Sequence, residues 1–304
     1  GIDVFIFDWY TYEGKPFLNR CLDEGFLKAA NTGDLKFALM WANHDWLELY
    51  PYTAGDPTEA LYPGVVTTEM FDRIGDELVR QYFTKPNYWL VDGKAYFSIY
   101  DIQKFVESFG SLEATRREME KLDGKAVRAG LKGIHWNLVA WGRTVLPGHD
   151  APVNNGELLE KLGFDSATSY VWIHHFGLPQ VQTDYNLVRD RYMEHWERVE
   201  KEYPVPYYPN VTMGWDSSPR TNQNGEWRGN EGYPYTYTIG NNTPENFRTA
   251  LRMTKDRLLA RPDRPRILTV NCWNEWTEGS YLEPDTGTGM AYLEAVRDVF
   301  GDRK

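Results

Sequence analysis

The chain has 304 residues, a formal net charge of -11 and a hydrophobic fraction of 41%, which is enough to bury a large core within one domain. This acidic balance offers no basic surface to neutralise phosphates, so nucleic acid is excluded as a partner. No apolar run approaches the roughly 20 residues needed to cross a bilayer, which argues against membrane insertion.

Segments typical of strands alternate along the chain with segments of helical periodicity, which indicates a parallel α/β fold. Several strand segments are apolar without alternation, as expected where both faces of a sheet are covered. The predicted strands are, in chain order, 3–9, 36–43, 95–101, 134–141, 165–172, 206–215 and 266–273. The predicted helices are 17–30, 69–83, 112–129, 156–162, 184–202, 244–259 and 291–300.

The seven predicted strands fall one unit short of a (β/α)8 TIM barrel. Gly1 leads almost directly into an apolar strand, whereas a chain terminus is usually exposed. We therefore expect a barrel that lacks its first βα unit. A doubly wound sheet would also accommodate seven strands, but no Gly-rich phosphate turn follows any of them. No repeat or linker divides the chain, which predicts a single catalytic domain over residues 1–304.

Residues that follow the predicted strands should converge, because the active site of such a barrel lies at the C-terminal ends of its strands. Aromatic, carboxylate, amide and imidazole groups at one mouth suit a sugar, although any one of them, taken singly, could instead serve packing. The residues at these strand ends are Asp8, Trp9, Tyr10, Tyr12, Asn43, His44, Asp45, Trp46, Asp101, Trp141, Arg143, Tyr170, Trp172, His174, His175, Trp215, Asp216, Arg220, Asn274, Glu275, Trp276 and Glu278.

The sequence indicates neither a metal site nor a disulfide. Cys21 and Cys272 are far apart and lack metal-ligand spacing. The adjacent His174 and His175 would point to opposite faces of an extended segment and would rarely bind one ion together. The polar segment 216–232 could be a calcium loop or a long loop that shapes the substrate site, but it lacks regular acidic spacing. We expect no metal and no cofactor.

Two glutamates three residues apart follow the last predicted strand, in the run Asn274-Glu275-Trp276-Thr277-Glu278-Gly279. They would point the same way if the segment turns helically. Glycoside cleavage needs such a pair, with one carboxyl to protonate the departing oxygen and one carboxylate to accept a proton or stabilise the anomeric centre. Their proximity between aromatic walls would raise one pKa and keep that group protonated near neutrality. A solvated acidic loop is the alternative.

The run from Asn274 to Gly279 resembles the motif of glycoside hydrolase family 99 and its relatives, including the WbsX-like group often described as glycosyltransferases. Three further segments are similar to the WbsX-like pattern, namely 1–10, 41–46 and 214–220, and the similarity continues to Leu282-Glu283-Pro284. The resemblance therefore covers nearly the whole chain.

The resemblance to the hydrolase family implies endo-acting, retaining cleavage of α-mannosidic bonds without a metal or organic cofactor. By position, Glu275 would deprotonate the sugar 2-hydroxyl, which attacks the anomeric carbon to give a 1,2-anhydro sugar. Glu278 would act as acid and then as base, with Tyr170 nearby. The sequence departs from the mannosidases at Thr277, where they commonly carry His. The sugar and the endo mode are therefore left open.

These observations predict a retaining glycoside hydrolase for α-linked glycans or polysaccharides, with Glu275 and Glu278 as catalytic residues. One alternative is a glycosyltransferase of surface-polysaccharide biosynthesis, which would need a diphosphate site. Another is a non-catalytic carbohydrate-binding barrel. An extracellular or periplasmic location suits the hydrolase and a cytoplasmic one the transferase. The expected substrate-binding residues are Trp9, Tyr10, Asn43, His44, Asp45, Trp46, Tyr170, Trp172, His174, Trp215, Asp216, Asn274 and Trp276.

Overall fold

The computed structural model of the protein describes residues 1–49, 51–56, 58–142, 154–227 and 231–301. These residues form a mixed α/β fold built on parallel strands, which confirms the predicted fold class at this level. The strands are β1 (Val4–Tyr12), β2 (Lys36–Trp41), β3 (Lys94–Ile99), β4 (Ile134–Val139), β5 (Ser166–Thr168), β6 (Tyr207–Tyr208), β7 (Asn210–Thr212) and β8 (Thr269–Asn271).

Strands of the fold pair in parallel with their neighbours along the chain. Pairing runs without interruption from β1 through β6, and β7 pairs with β8. The strands β6 and β7 are consecutive pieces of one extended segment, separated by Pro209, which has no backbone N–H to donate. The described residues therefore provide seven strand positions in chain order, with all C-terminal ends on one side.

Short strands accompany this parallel arrangement and help to shape its C-terminal side. The chain leaves the parallel strands earlier than the sequence predicts, notably after β5 and β8, because the residues that follow turn away to build loops. These short strands are Lys15–Phe17 beside β1, Leu90–Val91 beside β3, Trp46–Leu47 with Ala60–Tyr62, Gln182–Asp184 with Thr238–Gly240, and Asn274–Glu275 with Ser280–Tyr281.

Helices connect the strands and bury one apolar side each. All but the last of them start at a polar cap: the Thr243 hydroxyl accepts from the backbone N–H of Asn246, for example, and Pro244 occupies the first turn. The helices are α1 (Thr68–Glu77), continued by one wider turn (Leu78–Phe83), α2 (Ile102–Phe109), α3 (Leu112–Arg128), α4 (Asn155–Leu162), α5 (Tyr185–Glu202), α6 (Pro244–Leu259) and α7 (Ala291–Phe300). No helix among the described residues is long and apolar enough to span a membrane.

The helix predicted over 17–30 is confirmed only in part. It is a π-helical turn, Cys21–Gly25, followed directly by a 3-10 turn, Phe26–Lys28, and not an α-helix. The preceding Leu18 adopts a positive φ of 56°, a conformation that no α-helix includes. Helix α2 was not among the predicted helices. It starts directly after β3, where the Asp101 carboxylate caps the backbone N–H of Lys104.

One side of β1 carries no hydrogen-bonded partner over residues 4–9 among the described residues, because its C-terminal end alone pairs with Lys15–Phe17. No described strand pairing joins β1 to β8. The rings of Phe5 and Trp273 nevertheless meet near this edge, with centroids 5.3 Å apart. Residues 4–8 are only half-buried, in contrast to the buried β2. A closed barrel is therefore not observed, and the missing first unit stays a prediction.

Candidate active site

A cavity of about 730 Å³ opens among the residues that follow the parallel strands. It lies where the C-terminal ends of these strands point, which is the position that sequence reasoning assigned to a site. Its apolar part faces the open edge of β1 and includes Phe5, Phe7, Phe26 and Trp273. Its polar and aromatic part is lined by Asp8, Tyr10, His44, Asp45, Trp46, Tyr100, Tyr170, His174, Trp215, Arg220, Tyr233, Asn274, Glu275, Glu278 and Glu283.

The two glutamates of the motif reach this cavity together. Glu275 ends a short strand, and Glu278 ends the single helical turn that follows. Gly279 terminates the turn with φ of 60°. A Cβ atom added at this glycine would come within 2.8 Å of the Asp216 Cβ atom, so both the conformation and the close approach favour glycine. This turn brings both carboxyl groups to the same wall.

Arg220 joins the two carboxyl groups through one guanidinium. Its Nη1 donates to Oε1 of Glu278 at 2.7 Å, and its Nη2 donates to Oε2 of Glu275 at 2.8 Å. Its Nε donates to the Thr277 hydroxyl at 2.8 Å. Because the guanidinium is rigid and planar, this fork holds the two carboxyl groups at a fixed separation and orientation.

The environment of Glu278 favours its protonated form at neutral pH. The residue is only 6% exposed. Burial raises the pKa of Glu278 to about 8, against the lowering effect of Arg220 and with a further rise from the charge of Glu275. Oε1 of Glu278 accepts from Arg220 and, at 2.8 Å, from the hydroxyl of Tyr233. Oε2 has no hydrogen-bond partner among the described residues, so Oε2 is the oxygen that we assign the proton.

Asp8 supplies a third carboxyl group to the same chamber. Burial, followed by the charges of Glu275 and Glu278, raises the pKa of Asp8 to about 8. Burial also raises the pKa values of three phenols that line the cavity, and the nearby carboxylates raise them further. These phenols, which therefore stay neutral hydrogen-bond donors, belong to Tyr10, Tyr100 and Tyr170.

Flat rings form a continuous wall of the cavity. At one end the His174 ring stacks on Trp141 and Tyr170, with centroids 4.4 and 5.8 Å apart. At the other end Trp46 packs edge-on against Tyr10, with centroids 5.7 Å apart. Such rings provide apolar faces on which the C–H surfaces of a sugar can lie. Tyr170 lines the same cavity as Glu278.

Two tryptophans predicted to bind substrate do not line the cavity. Trp9 is 1% exposed and packs against Trp41 and Tyr82. Successive strand residues face opposite sides, so Trp9 points away from the chamber that Asp8 lines. Trp172 is also 1% exposed, and its indole N–H donates to the carbonyl of Asn210 at 2.9 Å. Both positions were therefore predicted wrongly, and both side chains belong to the core.

Three further predicted residues lie outside the main cavity. The Asn43 amide bonds both backbone groups of Asp101 and so ties together the residues that follow β2 and β3. Asp216 lines a smaller neighbouring cavity of about 350 Å³, and its backbone N–H donates to the carbonyl of Glu278. Trp276 is 43% exposed and stacks on Tyr281. None of the three side chains lines the main cavity, because position after a strand does not determine where a side chain points, and a substrate contact by them stays a prediction.

The remaining predicted residues all line the main cavity. They are Tyr10, His44, Asp45, Trp46, Tyr170, His174, Trp215, Asn274, Glu275 and Glu278. Arg143 lies outside the described residues.

Sequence reasoning placed Asp8 and Arg220 at strand ends but assigned them no role. It missed Tyr100 and Tyr233. Tyr100 directly precedes the strand-end residue Asp101, a usable signal, whereas nothing local to Tyr233 indicates its contact. No group of side chains among the described residues has the arrangement of a metal site.

Structural comparison defines the class of fold. The fold is similar to that of the glycoside hydrolase family 99 endo-α-mannosidase from Bacteroides thetaiotaomicron, solved in complex with bis-tris-propane, with a TM-score of 0.51 and 14% identity over 97% of this chain and 77% of that one. It is also similar to a structure described as a glycoside hydrolase-like protein, with a TM-score of 0.57 and 13% identity over 99% and 82% of the two chains. The chain thus has a glycoside hydrolase-like fold.

Sequence comparison then gives the family. The family model described as glycosyltransferase WbsX matches residues 1–296, and the chain belongs to this family. It is 25% identical over 316 residues to WxcX, an uncharacterized protein from two strains of Xanthomonas campestris pv. campestris. The match covers 98% of this chain but 39% of WxcX. The chain therefore spans about two fifths of the length of these curated relatives. The predicted family resemblance is confirmed.

Proposed function

We propose that the protein is a retaining glycoside hydrolase that acts on α-linked glycans or polysaccharides. The observation that carries the proposal is the pair of carboxyl groups joined by Arg220 in a cavity with aromatic walls, one of them protonated at neutral pH with a free oxygen. A protonated carboxyl beside a second carboxyl is the arrangement that glycoside cleavage requires. The WbsX family match and the hydrolase-like fold are consistent with chemistry on sugars.

Glu278 is the proposed general acid and then the general base. Its protonated Oε2 gives a proton to the glycosidic oxygen as the bond from that oxygen to the anomeric carbon breaks. In the second half of the reaction the same oxygen takes a proton from the water that attacks the anomeric carbon. The hydrogen bonds from Arg220 and Tyr233 hold Oε1 and leave Oε2 to face the substrate.

Glu275 is the proposed base for the sugar 2-hydroxyl. It takes the hydroxyl proton while O2 attacks the anomeric carbon, which gives a 1,2-anhydro sugar, and it returns the proton when water opens that ring. Arg220 donates to Oε2 of Glu275. No hydrogen bond to Oε1 of Glu275 is found among the described residues, so Oε1 is the oxygen available to the substrate. Sharing one guanidinium also keeps the two carboxyl groups close, which suits retention, since inverting enzymes separate theirs by about 6.5–9.5 Å.

A glycosyltransferase is the second candidate, favoured by the description of the matching family. A nucleotide-sugar donor carries a diphosphate, which needs cationic side chains or a bound metal ion. Among the described lining residues Arg220 alone has an Arg or Lys side chain, and each of its three nitrogens donates to the motif. The cavity therefore suits a glycan better than a nucleotide sugar.

A panel of α-linked glycans and a panel of nucleotide sugars with acceptors, with products followed by mass, test the proposal. We expect addition of one water molecule across a glycosidic bond, with the α-anomer formed first in a proton NMR time course. Transfer from a nucleotide sugar without glycan cleavage would assign the protein to the transferases. Binding of glycans without any turnover would assign it to carbohydrate-binding barrels.

We also propose that residues 1–304 belong to one domain and that an eighth strand, from chain outside this sequence, lies between β1 and β8 to close a barrel. The unpaired edge of β1 over residues 4–9 and the half-buried Phe5 and Phe7 support it. Hydrogen exchange on the longest natural form of the protein tests it. Slow exchange of the β1 amides that face this edge is expected, and rapid exchange would refute the closed barrel.

A further inference from the structure

The segment over residues 215–236 carries both donors to Glu278, and separate contacts hold its two halves. Arg220 belongs to the first half and Tyr233 to the second. The first half is held from outside the segment. The backbone N–H of Tyr52 donates to the carbonyl of Arg220 at 3.1 Å, and the carbonyl of Tyr52 accepts from the backbone N–H of Asn222 at 2.9 Å. Arg220 therefore has an anchor of its own.

Two side-chain hydroxyls join the second half to the start of the segment. The hydroxyl of Thr236 accepts from the indole N–H of Trp215 at 2.9 Å and lies 2.8 Å from the hydroxyl of Ser217. Ser217 donates to the carbonyl of Pro234 at 2.7 Å. A carbonyl can only accept, so the one hydroxyl hydrogen of Ser217 is used there, and Thr236 must donate to Ser217. The hydrogen bonds thus run in one direction, from Trp215 to Pro234.

This chain of hydrogen bonds is buried and ends beside Tyr233. Ser217 is 0% and Thr236 7% exposed, and a buried group that loses its hydrogen-bond partner is left unpaired at a cost in free energy. Pro234 directly follows Tyr233, so the bond from Ser217 fixes the backbone next to the phenol. The ring of Tyr233 also packs against that of Trp215, with centroids 6.4 Å apart. The chain therefore constrains where the Tyr233 hydroxyl lies.

We infer that Ser217 and Thr236 are positioning residues that hold the hydroxyl of Tyr233 on Oε1 of Glu278. Neither residue lines the main cavity, so both act through Tyr233 and not on the substrate. Because Arg220 has a separate anchor, breaking the chain should release Tyr233 and leave Arg220 in place. The inference rests on the proposed function for its catalytic consequence, and it deepens that function by extending the control of the acid to residues outside the cavity.

Loss of the contact from Tyr233 should make Glu278 a weaker acid. A hydrogen bond donated to a carboxyl oxygen stabilises the ionised form more than the protonated form. Tyr233→Phe should therefore lower the ionisation constant of Glu278 about tenfold, which raises its pKa. The other charged and titratable groups that line the cavity near Glu278 are retained in this variant, namely Arg220, Glu275, Asp8, Tyr100 and Tyr170.

A double-mutant cycle tests the inference by carbon-13 NMR titration of the Glu278 carboxyl in the whole chain, with its signal assigned by its absence in Glu278→Gln. Thr236→Val removes the hydroxyl and should lower the ionisation constant about threefold or more. In the Tyr233→Phe background the same substitution should change it less than about twofold, because the contact through which Thr236 acts is already absent. Ser217→Ala should behave in the same way.

Two variants control for a general loss of structure. Thr236→Ser keeps the hydroxyl and should keep the wild-type ionisation constant. Thr115→Val makes the same change at a fully buried threonine of α3, whose hydroxyl donates to the carbonyl of Ser111 at 2.8 Å and which does not line the cavity. It should lower the melting temperature without changing the ionisation constant. If Thr236→Val does not fold, Ser217→Ala carries the cycle.

Two results of the titrations would overturn the inference. One is an equal shift from Thr236→Val in the wild-type and Tyr233→Phe backgrounds, which would mean that Thr236 acts by another route. The other is an unchanged ionisation constant in folded Thr236→Val or in folded Tyr233→Phe.

Turnover separates this inference from the proposed function. On a glycan that the wild type cleaves, Thr236→Val should move the alkaline limb of the kcat/KM profile to higher pH, and Thr115→Val should not. If the wild type cleaves no glycan, the proposed function fails while the NMR cycle still decides the role of Ser217 and Thr236. If glycans are cleaved and the cycle shows no coupling between Thr236 and Tyr233, the inference fails alone.

Discussion

The hydroxyl of Tyr233 donates a 2.8 Å hydrogen bond to Oε1 of Glu278, although 45 residues separate the two in sequence. The guanidinium of Arg220, which bonds the same oxygen, lies 5.6 Å from the centre of the Tyr233 ring. The two donors thus both engage Oε1 of Glu278, and Oε2 has no hydrogen-bond partner among the described residues. The proposed acid function of Glu278 depends on this orientation.

Replacement of the proposed acid should affect substrates according to their leaving groups. Glu278→Gln should lose about 10²–10⁴-fold in kcat on substrates with poor leaving groups, the usual contribution of general-acid catalysis. On aryl glycosides with activated leaving groups the loss of kcat should be much smaller, because these leaving groups depart without being protonated. Rates on both substrate types, with an unchanged melting transition as the control, check this. Full activity of the folded variant on both types would exclude Glu278 as the acid.

Replacement of the proposed base should not distinguish between leaving groups. Glu275→Gln should slow cleavage of activated and unactivated substrates alike, because attack by the 2-hydroxyl precedes departure of either group. For the same reason, 2-deoxy and 2-fluoro substrates should not be cleaved by the wild type. Mass spectrometry of the protein after incubation with substrate tests the alternative route, in which Glu275 itself becomes glycosylated. A glycosyl ester trapped on Glu275 would refute the anhydro-sugar route while leaving a retaining hydrolase in place.

Removal of the shared guanidinium should change the pH dependence of activity. Arg220 lowers the pKa of Glu278, which burial raises to about 8, so Arg220→Gln should raise that pKa further. A general acid works while protonated, and the alkaline limb of the kcat/KM profile should therefore move to higher pH. We also expect kcat to fall at least tenfold, because Glu275 loses its orientation. Loss of activity without a shift of this limb would mean that Arg220 acts only by positioning.

The buried carboxyl of Glu278 should make stability depend on pH. Its pKa is about 8 in the folded protein and near the ordinary 4.5 when unfolded. The folded state therefore keeps a proton that the unfolded state releases between these values, and stability falls as pH rises through this window. Glu278→Gln removes this effect. The quantity to compare is the melting temperature of the variant minus that of the wild type. This difference should be larger at pH 8.5 than at pH 5 by about 2 °C or more, which corresponds to roughly 1 kcal/mol for a protein of this size.

The same comparison on Asp3→Asn, which alters an exposed carboxyl, should give equal differences in melting temperature at pH 5 and pH 8.5. A Glu278→Gln difference that does not grow with pH would show that Glu278 is ionised in the folded protein at neutral pH. That result would also remove the basis for its role as the acid.

Two tryptophans that follow predicted strands should differ in what their replacement by alanine impairs: stability for one, and substrate binding for the other. Trp172→Ala removes a fully buried side chain and should cost about 3–5 kcal/mol, or about 10 °C in melting temperature. Trp46→Ala removes a half-buried ring of the cavity wall and should raise KM about tenfold with a smaller loss of stability. Melting curves and kinetics on both variants check this. Loss of stability in Trp46→Ala alone would contradict the assignment of core and wall.

The sequence alone determined the alternation of strands and helices and the location of the carboxylate pair. Burial by helices leaves an apolar run in every central strand, and helical segments repeat their apolar residues at a different period, so both are visible locally. Glu275 and Glu278 are visible for the same reason, since their spacing is local and they follow a strand. The helix predicted over 17–30 starts later than predicted, because the positive φ of Leu18 has no clear counterpart in apolar periodicity.

Only the tertiary structure decided which residues act together. Arg220 and Tyr233 reach Glu278 from 58 and 45 residues away along a loop whose path no periodicity encodes. The core positions of Trp9 and Trp172, and the position of Asp8 inside the chamber, depend on which side of each strand faces the mouth. A shift of one residue reverses that side. Position after a strand therefore identifies a set of candidate site residues, and the packing of neighbouring strands and loops determines which of them line the cavity.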